Sequence, residues 1–147
     1  MKLGSIYMVV ILAIGSIYDW KYLGLPVWLL LAGIMGGILG ALYSLFGEDA
    51  SVISVGMAFL PGVIALILSY ITKEQIGYGD GLILLAMGGC LGMRQAMMIV
   101  GIALGASFVV SVALVLLRKA GRNQKLPFVP FLFAGWIMAS GGGLLFG

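Results

Sequence analysis

Long apolar runs separated by short polar segments constrain this chain more than any other feature of its sequence. Of its 147 residues, 63% are apolar and only 9% are charged, whereas about a quarter of the residues in a soluble domain are charged. A helix needs roughly 20 mostly apolar residues to cross a bilayer, so about six spans use most of the chain. We therefore predict an all-α membrane protein, a compact bundle of about six transmembrane helices that forms a single domain over residues 1–147.

Hydropathy gives the approximate limits of these spans. The first run ends in a bulky, charged segment and not in the small residues of a signal-peptide cleavage site, so we interpret it as a retained span. The fourth has about 13 residues and covers only roughly 20 Å. We therefore expect either that Asp80 lies inside the membrane boundary or that this helix lies in a locally thinned region of the membrane. The predicted spans are Leu3–Tyr18, Pro26–Phe46, Val52–Ile71, Gly81–Met93, Ala96–Leu117 and Phe128–Phe146.

The basic residues indicate an orientation. Successive loops lie on alternate sides of the membrane, and cytoplasmic loops are enriched in Lys and Arg. We therefore predict that the odd-numbered loops are cytoplasmic and that both termini lie outside. The basic residues of the odd loops are Lys21, Lys73, Arg118, Lys119, Arg122 and Lys125, and those of the opposite face are Lys2 and Arg94.

Glycines recur at a spacing of four residues in several spans. Small residues at this spacing let helix backbones approach closely, which is a main way in which membrane helices associate. We interpret these glycines as packing positions within the bundle. The pairs are Gly33 and Gly37, Gly36 and Gly40, Gly88 and Gly92, and Gly101 and Gly105.

Missing residue types exclude several reaction chemistries. The chain has no histidine and a single cysteine, which excludes a Ser-His hydrolase, an H-E-x-x-H zinc site and a C-x-x-C redox pair. Cys90 lies in an apolar run without a base to activate it, so we interpret it as a packing residue. We predict no metal and no cofactor. The net charge of +3 comes from loop residues and does not indicate nucleic-acid binding.

Two of the five acidic residues stand apart from the others. Asp19 closes the first predicted span and Asp80 opens the fourth, so loop parity places both at the cytoplasmic edge. Each could be structural, because Asp80 would cap a helix and Asp19 could pair with Lys21. Acids at a membrane boundary are also candidates for function. The other three acids, which a solvated loop explains, are Glu48, Asp49 and Glu74.

A pair of carboxyl groups can hydrolyse a peptide without a metal, histidine or thiol. Two carboxylates that share a site hold one proton between them. The ionised member acts as a base toward water, and the protonated member polarises the scissile carbonyl. Sequence alone does not assign these roles, since such a pair titrates as a unit. Gly77, Tyr78 and Gly79 precede Asp80, and the two glycines would let an extended substrate approach the backbone closely.

Three segments resemble the type IV prepilin peptidases, a family of intramembrane aspartyl proteases. Residues 77–80, Gly-Tyr-Gly-Asp, match the G-x-G-D motif of that family. Residues 19–26 are similar to its first aspartate segment, in which a proline follows the aspartate by seven residues. Residues 127–131, Pro-Phe-Val-Pro-Phe, are similar to its late Pro-Phe-x-Pro-Phe segment. The three motifs occur in the family's order, and the resemblance covers essentially the whole chain.

The resemblance implies a membrane endopeptidase that removes the basic leader of prepilins or pseudopilins at the cytoplasmic membrane face, with Asp19 and Asp80 as its catalytic pair. The expected partners are a prepilin or pseudopilin and the lipid bilayer. Leu82 stands where family members usually have lysine, and the short segment from Lys21 to Pro26 lacks the insert linked to N-methylation. We therefore expect peptidase activity without methyltransferase activity.

Two other interpretations stay open at this stage. In one, the chain is a small proton- or cation-coupled transporter or channel subunit, because intramembrane acids often mark ion pathways. Two observations disfavour the transporter or channel interpretation: no acid lies in the middle of a span, and no inverted repeat relates the two halves of the chain. In the other, the chain is a scaffold that has the peptidase fold without activity, although both aspartates are present.

Overall fold

The computed structural model describes residues 3–47, 50–72, 77–117 and 126–146, and in these ranges it contains helices and no strand. Four helical segments are long and apolar enough to cross a membrane: Leu3–Tyr22, Val27–Gly47, Val52–Ile71, which is broken into two helices, and Met93–Leu116. The apolar segments Tyr78–Leu91 and Val129–Gly141 are shorter. The prediction of an all-α membrane protein is confirmed. The helices are α1 (Leu3–Tyr22), α2 (Val27–Gly47), α3 (Val52–Ala58), α4 (Leu60–Ile71), α5 (Tyr78–Leu91), α6 (Met93–Leu116) and α7 (Val129–Phe146).

The orientation prediction depends largely on charged loop residues outside the described part of the chain, so it stays a prediction. Two of its residues, Lys21 and Arg94, lie within α1 and α6. The charged residues outside the described ranges are Lys2, Glu48, Asp49, Lys73, Glu74, Arg118, Lys119, Arg122 and Lys125.

Two helix boundaries differ from the prediction in a way that matters for the aspartates. Helix α1 continues to Tyr22 instead of ending at Tyr18, and α5 begins at Tyr78 instead of Gly81. Polar side chains at a membrane edge do not end a helix, because its backbone hydrogen bonds continue into the interfacial region. Asp19 and Asp80 therefore lie inside the terminal turns of their helices.

The third predicted span, Val52–Ile71, is interrupted at Phe59. Pro61 is the second residue of α4, and it has no N–H to donate to the carbonyl of Met57, as a continuous helix would require. The N–H of Phe59 donates instead to the carbonyl of Gly56 at 3.2 Å. The break places the main chain at Ala58 directly against α5.

Helix α5 lies at the centre of the bundle and packs against α2 and α4. Its buried residues include Ile83, Met87 and three glycines. A Cβ at Gly89 would overlap the carbonyl of Gly37 on α2, and a Cβ at Gly81 would lie 2.7 Å from Leu66 Cδ2 on α4. Backbone contact of this closeness fixes where α5, and hence Asp80, sits between its neighbours.

The packing role predicted for the spaced glycines is confirmed in α2 and at Gly88, where a Cβ would meet atoms of another helix. It is wrong for Gly101 and Gly105, because nothing lies within 4 Å of a Cβ at either position. Helix α6 is buried through Ile99 and Ala103 instead, which turns both glycines outward. It is also wrong for Gly92, which links α5 to α6 with a φ of 80°.

Candidate active site

Asp19 lies in the last turn of α1 and is only 6% exposed. Its main-chain carbonyl accepts a hydrogen bond from the N–H of Leu23 at 2.9 Å. Leu23 has a φ of 51°, the only positive φ of a non-glycine residue in the described part of the chain. This left-handed residue follows the end of α1 at Tyr22 and leads into α2 through a connection of a few residues.

The carboxylate of Asp19 meets the start of α7. Its Oδ2 accepts a buried hydrogen bond from the main-chain N–H of Val129 at 3.1 Å, and the backbone of Phe128 also interacts with it. Val129 is the first residue of α7. The first N–H groups of a helix have no partner within the helix and carry the positive end of its dipole, so a carboxylate is favourable there.

Close packing supports this contact between α1 and α7. Val129 and Leu132 are fully buried. A Cβ at Gly15, one turn before Asp19, would lie 3.2 Å from Val129 Cγ1 and 3.4 Å from Leu29 Cδ2. The absence of a side chain at Gly15 therefore allows Val129 to approach α1 closely enough for its N–H to reach Asp19.

No sequence pattern predicted this hydrogen bond. The sequence suggested Lys21 as a structural partner of Asp19, but no ion pair joins the two within the described residues, and Lys21 Nζ lies 5.4 Å from the centre of the Tyr22 ring. The one sequence feature related to this contact was the proline motif at residues 127–131. It predicts where a helix begins, and only the fold shows which side chain the helix start contacts.

Asp80 occupies the first turn of α5. The N-cap residue Gly77 is extended, with φ −64° and ψ 133°, and its carbonyl accepts the N–H of Asp80 at 3.1 Å. The Asp80 side chain turns back toward this cap, since its Oδ2 lies 3.4 Å from where a Cβ of Gly77 would be. The carboxyl group thus lies beside the N-terminus of its own helix.

The fold brings the two predicted aspartates together. Helices α1 and α5 pack against each other, and the carboxyl groups of Asp19 and Asp80 interact electrostatically. Within the described residues no group of three or more His, Cys, Asp or Glu side chains forms a candidate metal site. Two carboxyl groups on neighbouring helices can share one proton when they meet, and such a pair is suited to combined acid and base catalysis.

The three residues predicted to bind substrate differ in their surroundings. Gly77 and Tyr78 are exposed, whereas Gly79 is half-buried and a Cβ there would lie 3.1 Å from Leu25 Cδ1. Tyr78 and Gly79 are already helical, so Gly77 alone has extended backbone. Their role in substrate binding stays a prediction. Leu82 is half-buried on α5.

Comparison with known proteins gives the relationship of the chain. The model of the type IV leader peptidase family matches residues 6–116. The chain belongs to this family. Both aspartates lie within the matched region, and the motif at residues 127–131 lies beyond it.

Two similar proteins are both named prepilin leader peptidase/N-methyltransferase. A prepilin leader peptidase/N-methyltransferase of Aeromonas hydrophila is 28% identical over 142 residues, which cover 92% of this chain and 48% of the relative. One of Aeromonas salmonicida (strain A449) is 35% identical over 66 residues, 44% of this chain and 23% of the relative. The chain thus spans about half the length of the first relative. No solved structure gives a significant match.

Proposed function

We propose that this chain is an aspartic endopeptidase that cleaves the basic leader from type IV prepilins or pseudopilins at the cytoplasmic face of the cell membrane. Asp19 and Asp80 are its catalytic pair. The proposal is supported by the packing of α1 against α5, which brings these two acids, far apart in sequence, near enough to interact electrostatically, in a chain of the leader peptidase family.

The reaction needs one water and one shared proton. The ionised carboxylate takes a proton from water while the oxygen of that water attacks the scissile carbonyl carbon. The protonated carboxyl donates its proton to the carbonyl oxygen. When the tetrahedral intermediate collapses, the C–N bond breaks and the leaving nitrogen receives a proton from the pair. The products are the leader with a new carboxyl end and the mature protein with a new amino end.

Asp19 is only 6% exposed, so we expect the residues around it to move when a peptide substrate binds. Gly77, the extended residue beside Asp80, is the point at which a substrate backbone would pair with the chain. The loop charges would place Asp19 and Asp80 on the cytoplasmic side. Leader peptides carry positive charge and remain on that side of the membrane.

The test compares prepilin processing by the wild type, Asp19→Asn and Asp80→Asn when each is co-expressed with a candidate prepilin. Both substitutions preserve side-chain shape and remove the titrating group. We expect each to reduce the cleavage rate by at least about 100-fold, seen as retention of the larger precursor on a gel. Asp49→Asn makes the same chemical change at an acid outside the pair and should leave the rate unchanged. Wild-type processing by either Asp19→Asn or Asp80→Asn contradicts the assignment.

We also propose that the chain lacks N-methyltransferase activity. Helix α1 ends at Tyr22 and α2 begins at Val27, which leaves no room there for a separate methyl-transferring domain. Incubation of the purified protein with a labelled methyl donor and processed pilin should give no label in the pilin. Incorporation at a rate comparable to cleavage would show that the proposal is wrong.

A further inference from the structure

The hydrogen bond between Val129 and Asp19 has a feature that bears on catalysis. Its donor is a main-chain N–H at the start of a helix, and its acceptor is one specific oxygen, Oδ2. The bond therefore fixes one oxygen of the carboxylate, and with it the orientation of the group. A main-chain donor is also held by the whole helix, so it constrains the carboxylate more firmly than a flexible side chain would.

We propose that the N-terminus of α7 is a positioning element for Asp19: the N–H of Val129 fixes the orientation of the carboxylate within the catalytic pair. This inference rests on the proposed function, in which Asp19 belongs to the catalytic pair. Val129 is thus a positioning residue, which acts through Asp19 and does not touch the substrate.

The local structure makes this helix end rigid. Val129 and Leu132 are completely buried, and the carbonyl of Phe128 accepts the first helical hydrogen bonds, from Phe131 at 3.0 Å and from Leu132 at 3.2 Å. Pro130, the second residue of the helix, has a restricted φ that suits this position. The position of the Val129 N–H is therefore set by packing on both sides.

The two aspartates differ in this respect. Within residues 3–47, 50–72, 77–117 and 126–146, a hydrogen bond from another helix reaches the carboxylate of Asp19. The Asp80 carboxyl lies beside Gly77 of its own helix start, without a comparable donor from a second helix in those ranges. Asp19 is accordingly the fixed member of the pair and Asp80 the one free to adjust as the proton moves.

Position 129 allows the donor to be removed with little other change. Proline is well tolerated as the first residue of a helix, where its missing N–H breaks no helical bond. Phe128 precedes the helix, and the residue at that position usually has the extended backbone that a following proline requires. Val129→Pro therefore removes the donor to Asp19 and keeps most of the side-chain volume. Val129→Ala is the matched control, because it keeps the N–H and loses the packing.

The kinetic test measures kcat and KM for prepilin cleavage by both variants, corrected for the amount of folded protein. We expect Val129→Pro to lower kcat by about tenfold or more with KM within about twofold, as for a misaligned catalytic group. Val129→Ala keeps the donor but loses packing, so it should lower the folded yield and retain a clearly higher kcat than Val129→Pro. Equal kcat in the two variants, or a loss in Val129→Pro that falls on KM alone, overturns the inference.

A second test does not depend on cleavage. Thermal unfolding can be followed in detergent with a thiol-reactive dye at Cys90, the sole cysteine. Val129→Pro should lower the unfolding temperature in the wild type, where it takes the Val129 donor away from a buried carboxylate. In Asp19→Ala it should be neutral or stabilising, because it then removes an orphaned buried N–H. An equal shift in both backgrounds overturns the inference. If the wild type cleaves no prepilin, the proposed function fails, while this cycle still tests the contact.

Discussion

A substitution at Gly81 tests how closely α5 must pack for Asp80 to be in place. Gly81 is buried and follows Asp80 directly. A Cβ at this position would lie 2.7 Å from Cδ2, 2.8 Å from Cγ and 3.2 Å from the main-chain nitrogen of Leu66 on α4. Ordinary van der Waals contact begins at 3.4 Å, so α4 and α5 must separate or the Leu66 side chain must leave its present position.

The expected cost of Gly81→Ala is the difference of two effects. Overpacking of this kind destabilises by about 1–3 kcal/mol. Alanine regains about 0.5–1 kcal/mol over glycine inside a helix. Rotation of Leu66 moves Cδ2 but cannot move the main-chain nitrogen, so part of the clash remains. We expect a net loss of about 1–2 kcal/mol, which corresponds to a fall of about 3–6 °C in the unfolding temperature.

The second substitution Leu66→Ala removes two of the three atoms that a Cβ at Gly81 would meet. The double variant should therefore be more stable than the sum of the single effects predicts, by about 1 kcal/mol or more. The unfolding temperatures of the wild type, the two single variants and the double variant, each measured by thiol labelling of Cys90, complete this double-mutant cycle. If Asp80 is catalytic as proposed, cleavage should follow the same order, with a loss in Gly81→Ala that Leu66→Ala partly restores, because a small shift of a catalytic group is costly.

Gly101 provides the matched control, since nothing lies within 4 Å of a Cβ there. Gly101→Ala makes the same chemical change on an outward face of α6 and should leave stability unchanged or raise it by up to about 1 kcal/mol. The reasoning is refuted if Gly81→Ala is as stable as Gly101→Ala. It is refuted as well if the effects of Gly81→Ala and Leu66→Ala simply add.

Two further predictions concern backbone conformation. Gly92 joins α5 to α6 with φ 80° and ψ 166°, a region essentially restricted to glycine, so Gly92→Ala should lower the free energy of unfolding by about 1–3 kcal/mol, measured as above. Leu23 has a φ of 51°, which disfavours a side chain by about 1–2 kcal/mol. Leu23→Gly should therefore be at least as stable as the wild type, and Leu23→Val should be less stable than the wild type. The opposite order would contradict the strain argument.

Hydropathy was sufficient to predict the spans, because the cost of exposing polar backbone to lipid acts on every residue of a span. The absence of histidine and the positions of Asp19 and Asp80 then limited the chemistry. The break at Phe59 was not predicted, although Pro61 was a local signal for it, because apolar residues continue on both sides. The outward direction of Gly101 depends on which face of α6 meets its neighbours, and that is a property of the whole bundle.

The position of Asp19 explains why the site needs α7. A carboxylate in the last turn of α1 faces the negative end of that helix's dipole, which disfavours it by about 0.3–1 kcal/mol, and burial adds to the cost. The N-terminus of α7 supplies the opposite partial charge and a hydrogen-bond donor at 3.1 Å. Asp80 needs no such help from another helix, because it already lies in the first turn of α5. A buried pair of acids therefore becomes tolerable where one helix ends and two others begin, and this arrangement depends on contacts between residues distant in sequence.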